Sequence, residues 1–99
     1  MTHKFEEKLN SGKAVLLAFL HAGKQDAVDV KYILKELSDK YGDKLETIKV
    51  DGSYDHELLR KYKVDTFPTW ILIKNGEQLW NGNGIKKVET IDESINAFI

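Results

Sequence analysis

Ala14-Val15-Leu16-Leu17-Ala18-Phe19-Leu20 is an unbroken apolar run. It has the length of a strand, and the lack of polar alternation marks a strand covered on both faces. C-terminal to it, Ala27, Val30, Leu34, Leu37 and Tyr41 recur at helical spacing, while Lys31, Lys35, Asp39 and Lys40 lie off that stripe. Gly42 is placed to end this helix. Leu45-Glu46-Thr47-Ile48-Lys49-Val50 predicts a second strand. Two strands joined through a helix should be parallel, with a right-handed crossover.

The rest of the chain extends this β-α-β unit. Leu58, Leu59 and Tyr62 predict a short helix after Ser53, with Ser53, Asp55 and Glu57 suited to its capped start. Thr69-Trp70-Ile71-Leu72-Ile73 and Gln78-Leu79-Trp80 flank Asn75-Gly76, the strongest short-range hairpin signal. A final helix carries Ile91, Ile95, Phe98 and Ile99, and Phe5 and Leu9 share one face of a short first helix that Asn10-Ser11-Gly12 ends. The expected order is α-β-α-β-α-β-β-α. It gives an α/β fold with a mixed four-stranded sheet and helices on both faces.

The 99 residues, 41% apolar and 31% charged, read as one domain, 1–99, of ordinary globular composition. Net charge is −1, with no basic stripe to suggest nucleic acid. The apolar run is far short of the ~20 residues a membrane helix needs. No apolar stretch marks the N-terminus as a signal peptide, so the cytoplasm is the expected compartment, and a monomer the expected state. The chain has no cysteine, which removes disulfides and thiolate metal sites. No cofactor and no metal are expected: His21, His56 and His3 lack a second ligand at metal spacing, and Asp51 and Asp55 lack the pattern of a calcium loop.

This order resembles the thioredoxin family, and particular segments carry the likeness. Lys13 to Tyr41 is similar to the family's central strand and long helix. Lys63-Val64-Asp65-Thr66-Phe67-Pro68-Thr69 is similar to its segment ending in Ile-Pro-Thr, whose proline is cis. Ile73-Lys74-Asn75-Gly76-Glu77 is similar to its Phe-Lys-Asn-Gly-Glu turn, and Gly84 falls where the family has a glycine facing the active site. The resemblance covers nearly the whole chain, with the family's N-terminal strand shortened or absent. Lys24 and Ala27 then stand at the two cysteine positions, Gly23 at a tryptophan, Asp26 at a proline, Ala18 at the buried aspartate, and Tyr32 at the proline that kinks the helix.

Disulfide exchange needs a thiolate nucleophile and a sulfur leaving group, and this chain has neither. The resemblance therefore implies a thioredoxin-like protein without dithiol activity, and not an enzyme of that kind. In the family, the backbone before the cis proline pairs with an extended peptide. The expected role is thus non-covalent binding of a protein or extended peptide through Gly23, Lys24, Gln25, Asp26, Ala27, Thr66, Phe67, Pro68 and Gly84. An alternative is non-thiol chemistry or small-anion binding by Lys24 at the helix N-terminus, with His21 as acid or base. Another is that a role in cell redox homeostasis would be assigned through family likeness alone. Trp70 reads as core, and Trp80 as an edge-strand aromatic packed under the last helix.

Overall fold

The apolar run forms strand β1 (Ala14–Leu20), and all of its residues are buried. The structure, a computed structural model, describes residues 7, 9, 11–21, 23, 25–85 and 87–99, and for Gln25 and Asp26 the backbone alone. Around β1 run helix α1 (Gln25–Tyr41), strand β2 (Leu45–Asp51), helix α2 (His56–Lys61), strands β3 (Thr69–Lys74) and β4 (Glu77–Asn83), and helix α3 (Val88–Ile95). Glu7 and Leu9 are helical, and the remaining expectations for the first helix, together with His3, lie outside the described residues.

The sheet order is β2-β1-β3-β4. β1 pairs with β2 in parallel and with β3 antiparallel, and β3 pairs antiparallel with β4. Asn75 and Gly76 both take positive φ, 52° and 78°, as the two-residue hairpin between β3 and β4 requires. β1 is flanked by β2 and β3 and covered by a packed layer on each face, which is what an apolar run without alternation demands.

Alternate residues of β1 face opposite layers. On one side Leu16, Ala18 and Leu20 join Val30, Ile33, Leu34 and Leu37 of α1, Trp70 and Leu72 of β3, and Ile91 and Ile95 of α3. On the other, Val15, Leu17 and Phe19 join Leu9, Val50, Leu58, Ile71 and Ile73. Ile33 widens the apolar stripe of α1 beyond the expected positions. Trp70 is fully buried, and Trp80 is half-buried against the first cluster. Phe98 departs from expectation: it falls in a 3-10 turn after α3, which rotates it off the Ile91–Ile95 stripe, and it is 37% exposed.

α1 ends at Tyr41, as Gly42 is placed to make it, with Gly42 at φ +54°, and a 3-10 turn, Gly42–Lys44, leads into β2. One turn differs from the sequence reading. Ser53 does not cap α2. Its backbone N–H donates to Asp51 Oδ1 at 2.8 Å, and the Asp51 carbonyl accepts from the N–H groups of Tyr54 and Asp55. Asp51 therefore organises this turn, and α2 starts after Asp55 with no side-chain cap.

A polar clasp joins the last turn of α1 to α3. Lys40 Nζ and the Tyr41 hydroxyl both donate to the Asp92 carboxylate, and Asn96 Nδ2 donates to the Tyr41 oxygen at 2.9 Å. The Lys40 hydrogen bond, and after it that from Tyr41, hold the Asp92 carboxyl below its ordinary value. Burial, reinforced by the bond to Asp92, pushes the Tyr41 phenol up. A carboxyl depressed on folding stabilises the protein above its unfolded value, and the contribution is lost as pH falls through the folded value. Asp92→Asn should therefore lower Tm modestly at neutral pH. The gap to the native protein should close as the pH drops below the ordinary carboxylate range, as thermal scans at several pH values would show.

Candidate functional site

The expected site residues come from three separated stretches of sequence, and the strand register gathers them at one end of the sheet. Phe19 of β1 lies opposite Thr69 of β3, so the chain leaving β1 through Leu20 and His21 runs beside the segment entering β3 through Phe67 and Pro68. Thr69 in turn lies opposite Asn83, which puts Gly84 beside Pro68. Gly84 donates its N–H to the Pro68 carbonyl at 2.8 Å. α1 starts just after β1, so Gly23 and the first turn of the helix share this end.

The approach to β3 is held from within. The Phe67–Pro68 peptide bond is cis. The Thr69 hydroxyl, on a residue only 4% exposed, donates to the Thr66 carbonyl at 2.8 Å and folds the segment back on itself. Thr66 is exposed, Phe67 is half-buried and Pro68 is buried. Pro68 thus supports the face mainly through its backbone, with little side-chain surface on it. Among the described residues, the Phe67 N–H and C=O take part in no hydrogen bond.

The Phe67 ring sits in a slot that sequence reasoning missed. His21 meets it edge-on, with ring centroids 5.8 Å apart. On another side lies Gly52, where an added Cβ would stand 2.5 Å from Phe67 Cζ. Gly52 is itself fixed by its N–H donating to the Leu20 carbonyl at 2.8 Å. The sequence offers His21 as an acid–base candidate, but its edge contact makes it a wall of the Phe67 slot. His56 is exposed at the first position of α2.

Gly23 has φ +86°, is exposed, and has open space where a Cβ would be. Lys24 lies outside the described residues, as do the side chains of Gln25 and Asp26, so the expected cation at the helix start has no described geometry. Ala27 is partly buried against the core. Gly84 is exposed with φ +69°. Among the described residues, no group of histidines, aspartates and glutamates is arranged to hold a metal ion, and no helix is long and apolar enough to cross a membrane.

A family model described as Thioredoxin matches residues 1–97. The chain belongs to the thioredoxin family. It is 36% identical over 67 residues to "Thioredoxin" of Bacillus subtilis, a match covering 68% of this chain and 64% of that protein. It is 34% identical over 94 residues to "Thioredoxin Y, chloroplastic" of Oryza sativa, covering 94% of this chain and 56% of that one. The chain thus spans less than two thirds of the length of these curated relatives. Among solved structures, the germline-specific thioredoxin Deadhead of Drosophila melanogaster superposes with a TM-score of 0.86 at 23% identity, over 98% of this chain and 90% of that one. That likeness shows the thioredoxin fold.

The family's dithiol chemistry has no atoms to act with here, since the chain contains no cysteine. Ala18, which the family resemblance sets at a buried aspartate, is fully buried opposite Trp70, so the core is apolar at that point.

Proposed function

We propose that this thioredoxin-like protein binds a protein or extended peptide non-covalently, through the face made by Gly23–Ala27, Thr66–Pro68 and Gly84, and is not an enzyme. The observation that carries this reading is the Thr66–Phe67 segment. It is solvent-facing at the strand ends, and the Phe67 N–H and C=O are not taken up by the chain's described residues. An extended peptide laid against such a segment gains main-chain hydrogen bonds by strand addition. Thr69, Gly84, His21 and Gly52 brace the segment, so little ordering cost would accompany binding. Loss of the thiols leaves this part of the scaffold intact.

The test is affinity capture with the native protein and a Thr66→Arg variant, followed by amide shift mapping with the captured partner. The Thr66 side chain is exposed and only its backbone carbonyl serves the fold, so Thr66→Arg should keep the native Tm. Capture should fall about tenfold or more, because a bulky cation would stand where the peptide lies. Shifts should cluster at Phe67, Gly84 and Ala27. A partner retained by Thr66→Arg, or insulin-disulfide reduction by the native protein, would refute the reading.

A further inference from the structure

The opposite side of the sheet ends in an unpaired strand. β2 lies at the margin of the order β2-β1-β3-β4, and among the described residues nothing pairs with its outer side. The phase of that margin follows from one bond. Gly52 donates to the Leu20 carbonyl, and Leu20 is in register with Asp51, so the even-numbered residues of β2 direct their N–H and C=O toward β1. Alternation then turns the N–H and C=O of Thr47 and Lys49 outward.

The side chains of the same two residues face α1. They border a shallow cleft of about 270 Å³ together with Lys31, Leu34, Lys35 and Ser38. Three lysines line this cleft and no carboxylate does. Lys35 reaches Asp39 at 3.2 Å just outside it, with both side chains largely exposed, so solvent leaves most of its charge available. On the other face of β2, Ile48 is half-buried against the second apolar cluster.

We infer that the outer edge of β2 is a second docking site, which accepts an extended partner segment of alternating acidic and apolar residues. The outward backbone groups of Thr47 and Lys49 supply the main-chain ladder. The period of two in an added strand sends one set of its side chains over the α1 face, toward Lys31, Lys35 and Lys49. There carboxylates are complementary and cations are repelled. The other set falls beside Ile48, where an apolar side chain extends the existing cluster. Lysines along an exposed edge also discourage pairing between two copies of β2, because Lys49 would approach its own kind. The same charges that deter self-pairing select an acidic strand. This site shares no residue with the face proposed above.

Hydrogen exchange on the free 99-residue protein is the first test. The Thr47 and Lys49 amides should exchange fast, while those of Ile48 and Val50, turned toward β1, are protected. Protection of Thr47 and Lys49 in the free protein would mean that the chain's own segment or a second copy already fills the edge, and would overturn the proposal. The second test titrates a short peptide of alternating valine and glutamate. Its binding should protect the Thr47 and Lys49 amides. It should weaken about tenfold in the Lys31→Glu, Lys49→Glu variant, and about tenfold when lysine replaces glutamate in the peptide. Equal binding by the lysine peptide, or protection appearing at Phe67 instead of β2, would also overturn it.

Discussion

Trp70→Ala should lower the folding free energy by about 3–5 kcal/mol, the usual cost of removing a fully buried large aromatic. For a chain of this length that corresponds to a fall in Tm on the order of 20 °C. The size of the effect comes from how the indole is housed. Trp70 is the second residue of β3, with Ala18 in register on one side and Gly82 on the other. The ring is completely shielded from solvent within the layer beneath α1 and α3, and the space over Gly82 is taken by the Ile85 and Trp80 side chains. Its indole N–H donates to the Ile85 carbonyl at 2.9 Å, tying β3 to the link between β4 and α3. Removing the ring from among these packed core side chains leaves a cavity, whose cost adds to the lost burial. Trp70→Phe separates the two contributions. It keeps most of the apolar bulk, leaves the Ile85 carbonyl without its donor, and should cost about 1–3 kcal/mol. Urea and thermal denaturation of both variants measure this. A loss below about 1 kcal/mol for Trp70→Ala would show that the ring is not the centre of this layer.

Gly52→Ala should destabilise the fold by about 1–3 kcal/mol, a large effect for a single methyl, and should disturb the candidate binding face. The new Cβ would stand 2.5 Å from Phe67 Cζ and 2.6 Å from Cε1, inside any real carbon contact. The Leu20 carbonyl, 3.4 Å away on the strand side, restricts relief by backbone movement. The Phe67 ring must therefore swing out, losing its edge contact with His21 and shifting the backbone beside Thr66. The double-mutant cycle makes the argument sharp. With Phe67→Ala already in place the obstructing ring is gone, and Gly52→Ala should cost less than about 0.5 kcal/mol. Simple additivity of the two changes would refute the coupling. If the proposed face binds an extended peptide, Gly52→Ala should weaken binding although residue 52 never meets the ligand.

The residues of this slot show where sequence reading stops. Thr66, Phe67, Pro68 and Gly84 could be named from the chain because short local patterns and the family likeness carry them. Gly52 could not, and His21 could be named only as an acid–base candidate, not as a wall of this slot. Each looks like an ordinary turn or strand-end residue, and its role exists only because Phe67, 15 positions beyond Gly52, lands against it. The Asp92 clasp is the same case: its partners Lys40 and Tyr41 are 52 and 51 residues away, and no periodicity links them. Ser53 suits a cap by residue type, yet the helix begins only after Asp55, and Ser53 sits in the preceding turn, donating its N–H to Asp51.

The sequence by itself determined the element types, their order, the buried central strand, the Asn75-Gly76 turn and the absence of dithiol chemistry. All of these depend on local periodicity, on turn geometry within a few residues, or on atoms that the chain does not contain. Only the tertiary structure decided which strand is left at the margin, which backbone groups point outward there, and what surrounds Phe67. Those depend on strand order and register, set by the simultaneous packing of two layers on β1, and no local stretch of sequence encodes that.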